Sequence, residues 1–176
     1  MSNILLASDP HFTHSNILTF TNYDGTKLRS FDSVEHMNET MIENHNNVVR
    51  PKDKVYWLGD LAMQKKFPHE IFSRLNGEKV LIKGNHDQSK LSDYVRHFKD
   101  VRGSHQLSKM LLTHIPVHPD SLGRWTANVH GHLHSNEVML NGVPDPRYLC
   151  ISMERFNYTP ISLEDVIKLV AKRQEI

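Results

Sequence analysis

The stretch "VYWLGD", Val55 to Asp60, is an apolar run of strand length stopped by a glycine and a carboxylate. The same form recurs in "ILLAS" (4–8), "KVLIKG" (79–84) and "KMLLTH" (109–114), each ending in a polar residue, a glycine or both. "TANVHG" (126–131) and "YLCIS" (148–152) read as two further strands. Helix signals lie between these runs. Asp32 with Glu35 three places on has the form of a capping box, and Val34, Met37, Met41 and Val48, with Ile42 beside them, mark one helical face. Pro68 suits the first turn of a short helix carrying Ile71, Phe72 and Leu75, with Gly77 as its stop. Ser162 with Asp165 caps a last helix through Val166, Ile167 and Val170. Strands separated by helices predict an α/β layered fold, and the strands that follow one another between 109 and 149 predict a mixed sheet.

The 176 residues suffice for a single domain, 1–176, whose core needs no crosslinks. Lys plus Arg (21) against Asp plus Glu (20) leaves a formal charge of +1, which gives no electrostatic footprint for a nucleic-acid polymer. The short basic runs "KLRS" (27–30), "QKK" (64–66) and "KRQ" (172–174) read as solvated surface. Cys150 is alone, which excludes an internal disulfide and a Cys-rich zinc site; in its apolar run it reads as an inert buried thiol. The apolar patch in "MSNILLASDP" is too short for a secretion signal and no run has the length of a membrane span, so a soluble, cytoplasmic protein is expected. Oligomeric state leaves no signature in the sequence.

The unusual feature is histidine: thirteen are present, and their placement is ordered. Asp9 and His11 follow the first strand, Asp60 the second, and Asn85, His86 and Asp87 the third; His114 ends the fourth, and His132 and His134 follow the fifth. Ligands of α/β sheets gather at such strand ends. "DPH" and "GD" are weak alone, but composition predicts "GNHD" only about 0.003 times and "GHLH" about 0.04 times in this chain. A turn needs no imidazole, and residues two apart on a strand share a face, so His132 and His134 can point to one side. Neutral imidazole, carboxylate and amide oxygen together suit manganese, iron, zinc or nickel; an all-oxygen set would suit magnesium or calcium. Two such ions roughly 3.5–4 Å apart need a bridging ligand, for which a carboxylate is natural, and together they activate water and neutralise a phosphate ester. A histidine beside them that binds neither can protonate the leaving oxygen.

"DPH", "GD", "GNHD", an isolated histidine and "GHLH", in this order from Asp9 to His134, resemble the calcineurin-like metallophosphoesterases, and the opening "SDPHFTHSNI" with "VYWLGD" looks closest to a small single-domain prokaryotic-type branch. The resemblance implies an α/β/β/α sandwich with two mixed sheets and two divalent metal ions, manganese foremost. Asp9, His11 and His134 would hold one ion and Asn85, His114 and His132 the other, with Asp60 bridging them. His86 would be the histidine that binds no metal, serving as general acid or phosphate contact, with Asp87 orienting it.

Outside those motifs, His14 and Arg124 are candidates to touch substrate phosphate, while Trp125 reads as a buried structural residue. His118 reads as a loop residue, His130 as a support to the motif it precedes, and His36, His45, His69, His97 and His105 as ordinary. Loops 19–31 and 118–125 are expected to build the substrate pocket. The expected activity is hydrolysis of a small phosphodiester or phosphomonoester, nucleotides included. The alternatives are a nuclease acting on polymeric nucleic acid and a non-catalytic protein-interaction module on the same fold.

Overall fold

The computed structural model describes residues 2–63 and 66–175; Gln64 and Lys65 of the basic run "QKK" lie outside them. All six strands read from the sequence form, joined by shorter ones. In chain order they are β1 Ile4–Ala7, β2 Lys54–Trp57, β3 Glu78–Ile82, β4 Asp100–Arg102, β5 His105–Leu107 and β6 Met110–Leu112. They continue with β7 Ala127–His130, β8 Met139–Leu140, β9 Val143–Pro144, β10 Tyr148–Cys150 and β11 Ile161–Ser162. The helices are α1 Val34–Val48, α2 His69–Arg74, α3 Leu91–Tyr94 and α4 Leu163–Gln174.

The protein is α/β with two mixed sheets. In the first, β1 to β4 run parallel side by side and β11 pairs antiparallel with β1. In the second, β10, β7 and β6 are parallel and β5 is antiparallel at the edge. Period-two alternation sorts the side chains into layers. Val55 and Trp57 join Met37, Met41 and Phe72 in the core under α1 and α2, whereas Tyr56 and Leu58 join Leu112, Val129 and Leu149 in the core between the sheets. The helix α4 adds Val166 and Val170 to that central core. The outer face of the second sheet, Leu111 and Tyr148, is covered by Leu122 of a 3-10 turn with Val117 and Trp125, so a turn and a loop stand where a second outer helical layer was expected.

Two local expectations need correction. The cap of α1 is Ser33, whose hydroxyl accepts from the His36 N–H at 3.1 Å; Asp32 instead pairs with the exposed His36 ring. The run "KLRS" is not all solvated, because Arg29 is 1% exposed. The Ser162 cap forms as expected, with its hydroxyl accepting from the Asp165 N–H. Among the described residues no helix is long and apolar enough to cross a membrane.

Parallel pairing has a consequence for function: it puts the C-terminal ends of β1, β2 and β3 at one edge. The ladder runs on past the strands, with Asp9 N–H donating to Gly59 C=O at 3.0 Å and His11 N–H to Asp60 C=O at 3.1 Å. The two sheets are tied at that edge by Met153 N–H donating to Ser8 C=O at 3.1 Å.

The layer under α1 and α2 buries an imidazole. His45 of α1 is fully buried, stacks on Trp57 and hydrogen-bonds through Nε2 to Asn76 C=O at 3.0 Å. Burial pushes its pKa down from 6.5 to about 4. Between those values the unfolded chain binds more protons than the folded protein, so this contribution to stability is full above pH 6.5 and lost as pH falls towards 4. The expected loss from this residue at pH 5 is roughly 2 kcal/mol. Urea unfolding at pH 7.5 and pH 5 measures it: His45→Gln should lose less stability on acidification than the parent, by about that amount, and equal losses would contradict the account.

Candidate metal centre

The side chains singled out at five strand ends converge. Asp9, His11 and His134 form one group and Asp60, His114 and His132 a second; within each, one ligand atom per residue lies within 4.8 Å of the others. The two groups could each hold a metal ion. Asp60 stands between them, its Oδ2 lying 3.2 Å from His114 Nε2 and 3.8 Å from His11 Nε2. Asn85 joins the second group through Oδ1, 3.0 Å from His114 Nε2.

The backbone that achieves this is strained. Asp9, His11, Asp60, His132 and His134 all adopt left-handed conformations, with φ of 56°, 48°, 52°, 68° and 52°. Such conformations cost about 1–3 kcal/mol each and persist where surrounding contacts over-determine them, as at ligand clamps. The motif glycines follow from close approach of backbone to carboxylate. A Cβ on Gly131 would collide with Ser8 Oγ and Asp9 Oδ2, and one on Gly84 with the backbone nitrogen and Oδ1 of Asp60.

The donor set fits cations on the evidence of its own hydrogen bonds. His114 Nδ1 lies 2.6 Å from Leu58 C=O, which accepts its proton. In the neutral ring Nε2 therefore carries a lone pair that faces the oxygens of Asn85 and Asp60. His134 is set in the same way, its Nδ1–H donating to Glu154 Oε1 at 3.0 Å and leaving Nε2 free to ligate. His11 is buried with neither ring nitrogen in a hydrogen bond, though Nε2 lies 3.9 Å from Asp9 Oδ1 and 3.8 Å from Asp60 Oδ2. Lone pairs turned on one another in a buried site need a proton or a cation among them.

Ionisation is arranged accordingly. Burial, with the Arg29 charge second, pushes His11 well below the usual imidazole value, and burial likewise lowers His132; both are neutral, ligating forms at pH 7. Burial alone would raise Asp60, but the hydrogen bond and charge of His114 and the His86 N–H hold it down at about 2. Burial raises Asp9, opposed by the charges of His134 and His114. In His134 burial pulls downward while Glu154 carries the net shift upward; in His114 Asp60 and Asp9 do the same. Metal uptake displaces the protons that these partners favour.

Three of the other candidates keep a place near the centre. His86 lines the pocket above the two groups, its Nε2 4.0 Å from Asp60 Oδ2, and His14 lines it opposite Phe20. Asp87 is buried in the wall, but its role differs from the expected one. Its carboxylate accepts backbone N–H groups from Asp60 (3.0 Å), Leu61 (2.9 Å) and Gly84 (2.8 Å), so it fixes the loop carrying Asp60 rather than the His86 ring. Arg124 drops out: its guanidinium lies over Trp125 at 4.8 Å, against the outer cover of the second sheet, and it does not line the metal pocket. His118 is an exposed loop residue, and His130 is buried behind the motif with Nδ1 2.7 Å from Gly131 C=O. Burial raises the Cys150 thiol, as expected of an inert cysteine.

Arg29 and Glu154 were missed by the sequence reading. The buried guanidinium of Arg29 donates to Asp9 C=O (2.6 Å), to Pro10 C=O (2.7 Å) and to Glu154 Oε1 (2.6 Å), gripping the "DPH" turn and the carboxylate that orients His134. Its charge holds Glu154 at about 2 although burial works the other way. Ser152 adds a hydroxyl that donates to Asp9 Oδ2 at 2.7 Å. Glu154 lies just beyond β10, at the sheet edge where the other ligands gather, and that position was its one available signal.

An α/β fold with two mixed sheets and paired His/carboxylate groups at one edge is thus the class of the protein. The chain belongs to the family of the uncharacterized protein MJ1445 of Methanocaldococcus jannaschii, to which it is 39% identical over 179 residues, spanning 98% of this chain and 93% of that protein. No protein-family model matches the chain. The crystal structure of the protein of unknown function AQ665 from Aquifex aeolicus is similar with a TM-score of 0.71 and 23% identity, over 96% of this chain and 100% of that one, a likeness of fold alone.

Arg29 and Glu154 serve the Asp9–His11–His134 group, whereas His114 leans on the neutral carbonyl of Leu58. Glu154→Gln is therefore expected to weaken one of two manganese equivalents by roughly 10–100-fold and to leave the other unchanged. Calorimetric titration with manganese checks this, and equal weakening of both equivalents would contradict it.

Proposed function

We propose that the protein is a calcineurin-like, dinuclear metal-dependent phosphoesterase that hydrolyses small phosphate esters. The observation that carries this reading is the position of Asp60 Oδ2 between His11 Nε2 and His114 Nε2, the disposition a carboxylate shared by two cations requires. Asp9, His11 and His134 would hold one ion and Asn85, His114 and His132 the other, with Asp60 common to both. Manganese suits the mixed nitrogen and oxygen set best, with iron, zinc or nickel the other candidates. When bound, the two ions supply Lewis-acid neutralisation of the phosphate and activation of water for attack at phosphorus.

The chain's own residues account for the remaining requirements. Hydrolysis forms one P–O bond to water and breaks another to the leaving oxygen, which then takes a proton. His86 faces the centre without belonging to either ligand group and is half-exposed, so it can deliver that proton and exchange it with solvent. Its backbone N–H donates to Asp60 Oδ1 at 2.9 Å, which fixes its distance from the bridging carboxylate. His14, with Nδ1 buried and without a hydrogen-bond partner, is placed to meet a phosphate oxygen.

Turnover of a chromogenic phosphodiester with added manganese tests the reading. The protein should hydrolyse it, EDTA should abolish the activity, and His86→Ala should lower kcat by about 10²–10⁴-fold while still binding two manganese ions. Folded, manganese-loaded protein with no turnover would contradict the proposal and favour a non-catalytic interaction module.

A further inference from the structure

The metal pocket does not stand alone. A cavity of about 260 Å³ is lined by His11, His14, His86 and Asp60, and it shares Phe20, His132 and His134 with a larger groove of about 800 Å³. One wall of the groove is the 19–28 loop and the other the 132–136 loop, and Ser135 Oγ donates to Asn22 Oδ1 at 2.6 Å to join them. The volume is that of sites which take nucleoside-sized ligands.

The chemistry of the walls is selective. Phe20 is half-exposed, with its ring edge-on to His14, and Tyr23 stands almost wholly in solvent at the rim. Two unburied aromatic rings beside a polar pocket are stacking platforms. Thr21 and Asn136 add a hydroxyl and an amide. Apart from the two metal-group histidines, no Lys, Arg, His, Asp or Glu among the described residues lines the groove. Lys66 and Lys90 line a separate depression beside Gln88 and Ser89. Polyanions need several cationic contacts, which this groove does not offer.

We propose that the groove binds the organic part of the substrate, and that this part is a flat, uncharged, hydrogen-bonding body of nucleoside size. The substrate class is then a nucleoside ester bearing one phosphate, and nucleoside triphosphates and oligonucleotides are disfavoured. This rests on the phosphoesterase reading, with the phosphate seated at the metal centre and the base stacked on Phe20 and Tyr23.

Competitive inhibition tests it, with manganese-loaded protein hydrolysing methyl p-nitrophenyl phosphate. Nucleoside 5′-monophosphates should inhibit at least about tenfold more tightly than ribose 5-phosphate, which shares sugar and phosphate but lacks the base. Replacing Phe20 with Leu and Tyr23 with Ala should bring the two inhibition constants together. Equal constants in the parent protein would overturn the proposal, as would a difference that survives the double substitution or tighter inhibition by an oligonucleotide. Absence of any manganese-dependent turnover would sink the phosphoesterase reading itself, an outcome distinct from a working enzyme that ignores the base.

Discussion

One carboxylate organises the centre. Asp60 Oδ2 is the atom that both imidazole groups face, and it is ionised in a buried setting that by itself favours the neutral acid. Buried charge is tolerated where partners surround it, and here the partners come from three elements: the His11 turn after β1, the His86 loop after β3 and His114 after β6. Parallel pairing of β1, β2 and β3, and of β6 with β7, brings those turns to a common edge. The fold's contribution to the site is therefore topological before it is chemical.

Precision comes from residues that touch no candidate ion. Asp87 spends both oxygens on backbone N–H groups of the Asp60 and Gly84 turns, and Arg29 spends its guanidinium on the Asp9–Pro10 carbonyls and Glu154. These bonds offset the left-handed backbone at Asp9, His11 and Asp60. They also divide the labour unequally, since the His134 side is backed by an ion pair and the His114 side by a neutral carbonyl.

Six strands and every candidate metal-binding residue were legible because short apolar runs and rare residue clusters survive as local patterns. "GNHD" and "GHLH" announce themselves within four residues each. The short β4, β5, β8, β9 and β11 were not legible, since none was marked out as an apolar run of strand length, whereas the equally short β6 and β10 lie in the runs "KMLLTH" and "YLCIS". Arg29 was misread because a local window places "KLRS" in solvent, whereas its partners Asp9 and Glu154 lie 20 and 125 residues away. Arg124 illustrates the reverse error: the 118–125 loop was expected to help build the substrate pocket, with Arg124 touching phosphate, but Leu122 and Trp125 of that loop cover the outer face of the second sheet. Asp87 was found, yet its role depended on backbone donors that no sequence pattern displays.

The central claim is that Asp60 joins two cations into one centre. Electron paramagnetic resonance of the manganese-loaded protein reads this directly, because ions roughly 3.5–4 Å apart through a shared carboxylate are exchange-coupled. The account predicts a coupled dinuclear spectrum that gives way to isolated-ion signals in Asp60→Asn. Isolated-ion signals in the parent protein at two equivalents, or coupling that survives the substitution, would contradict it.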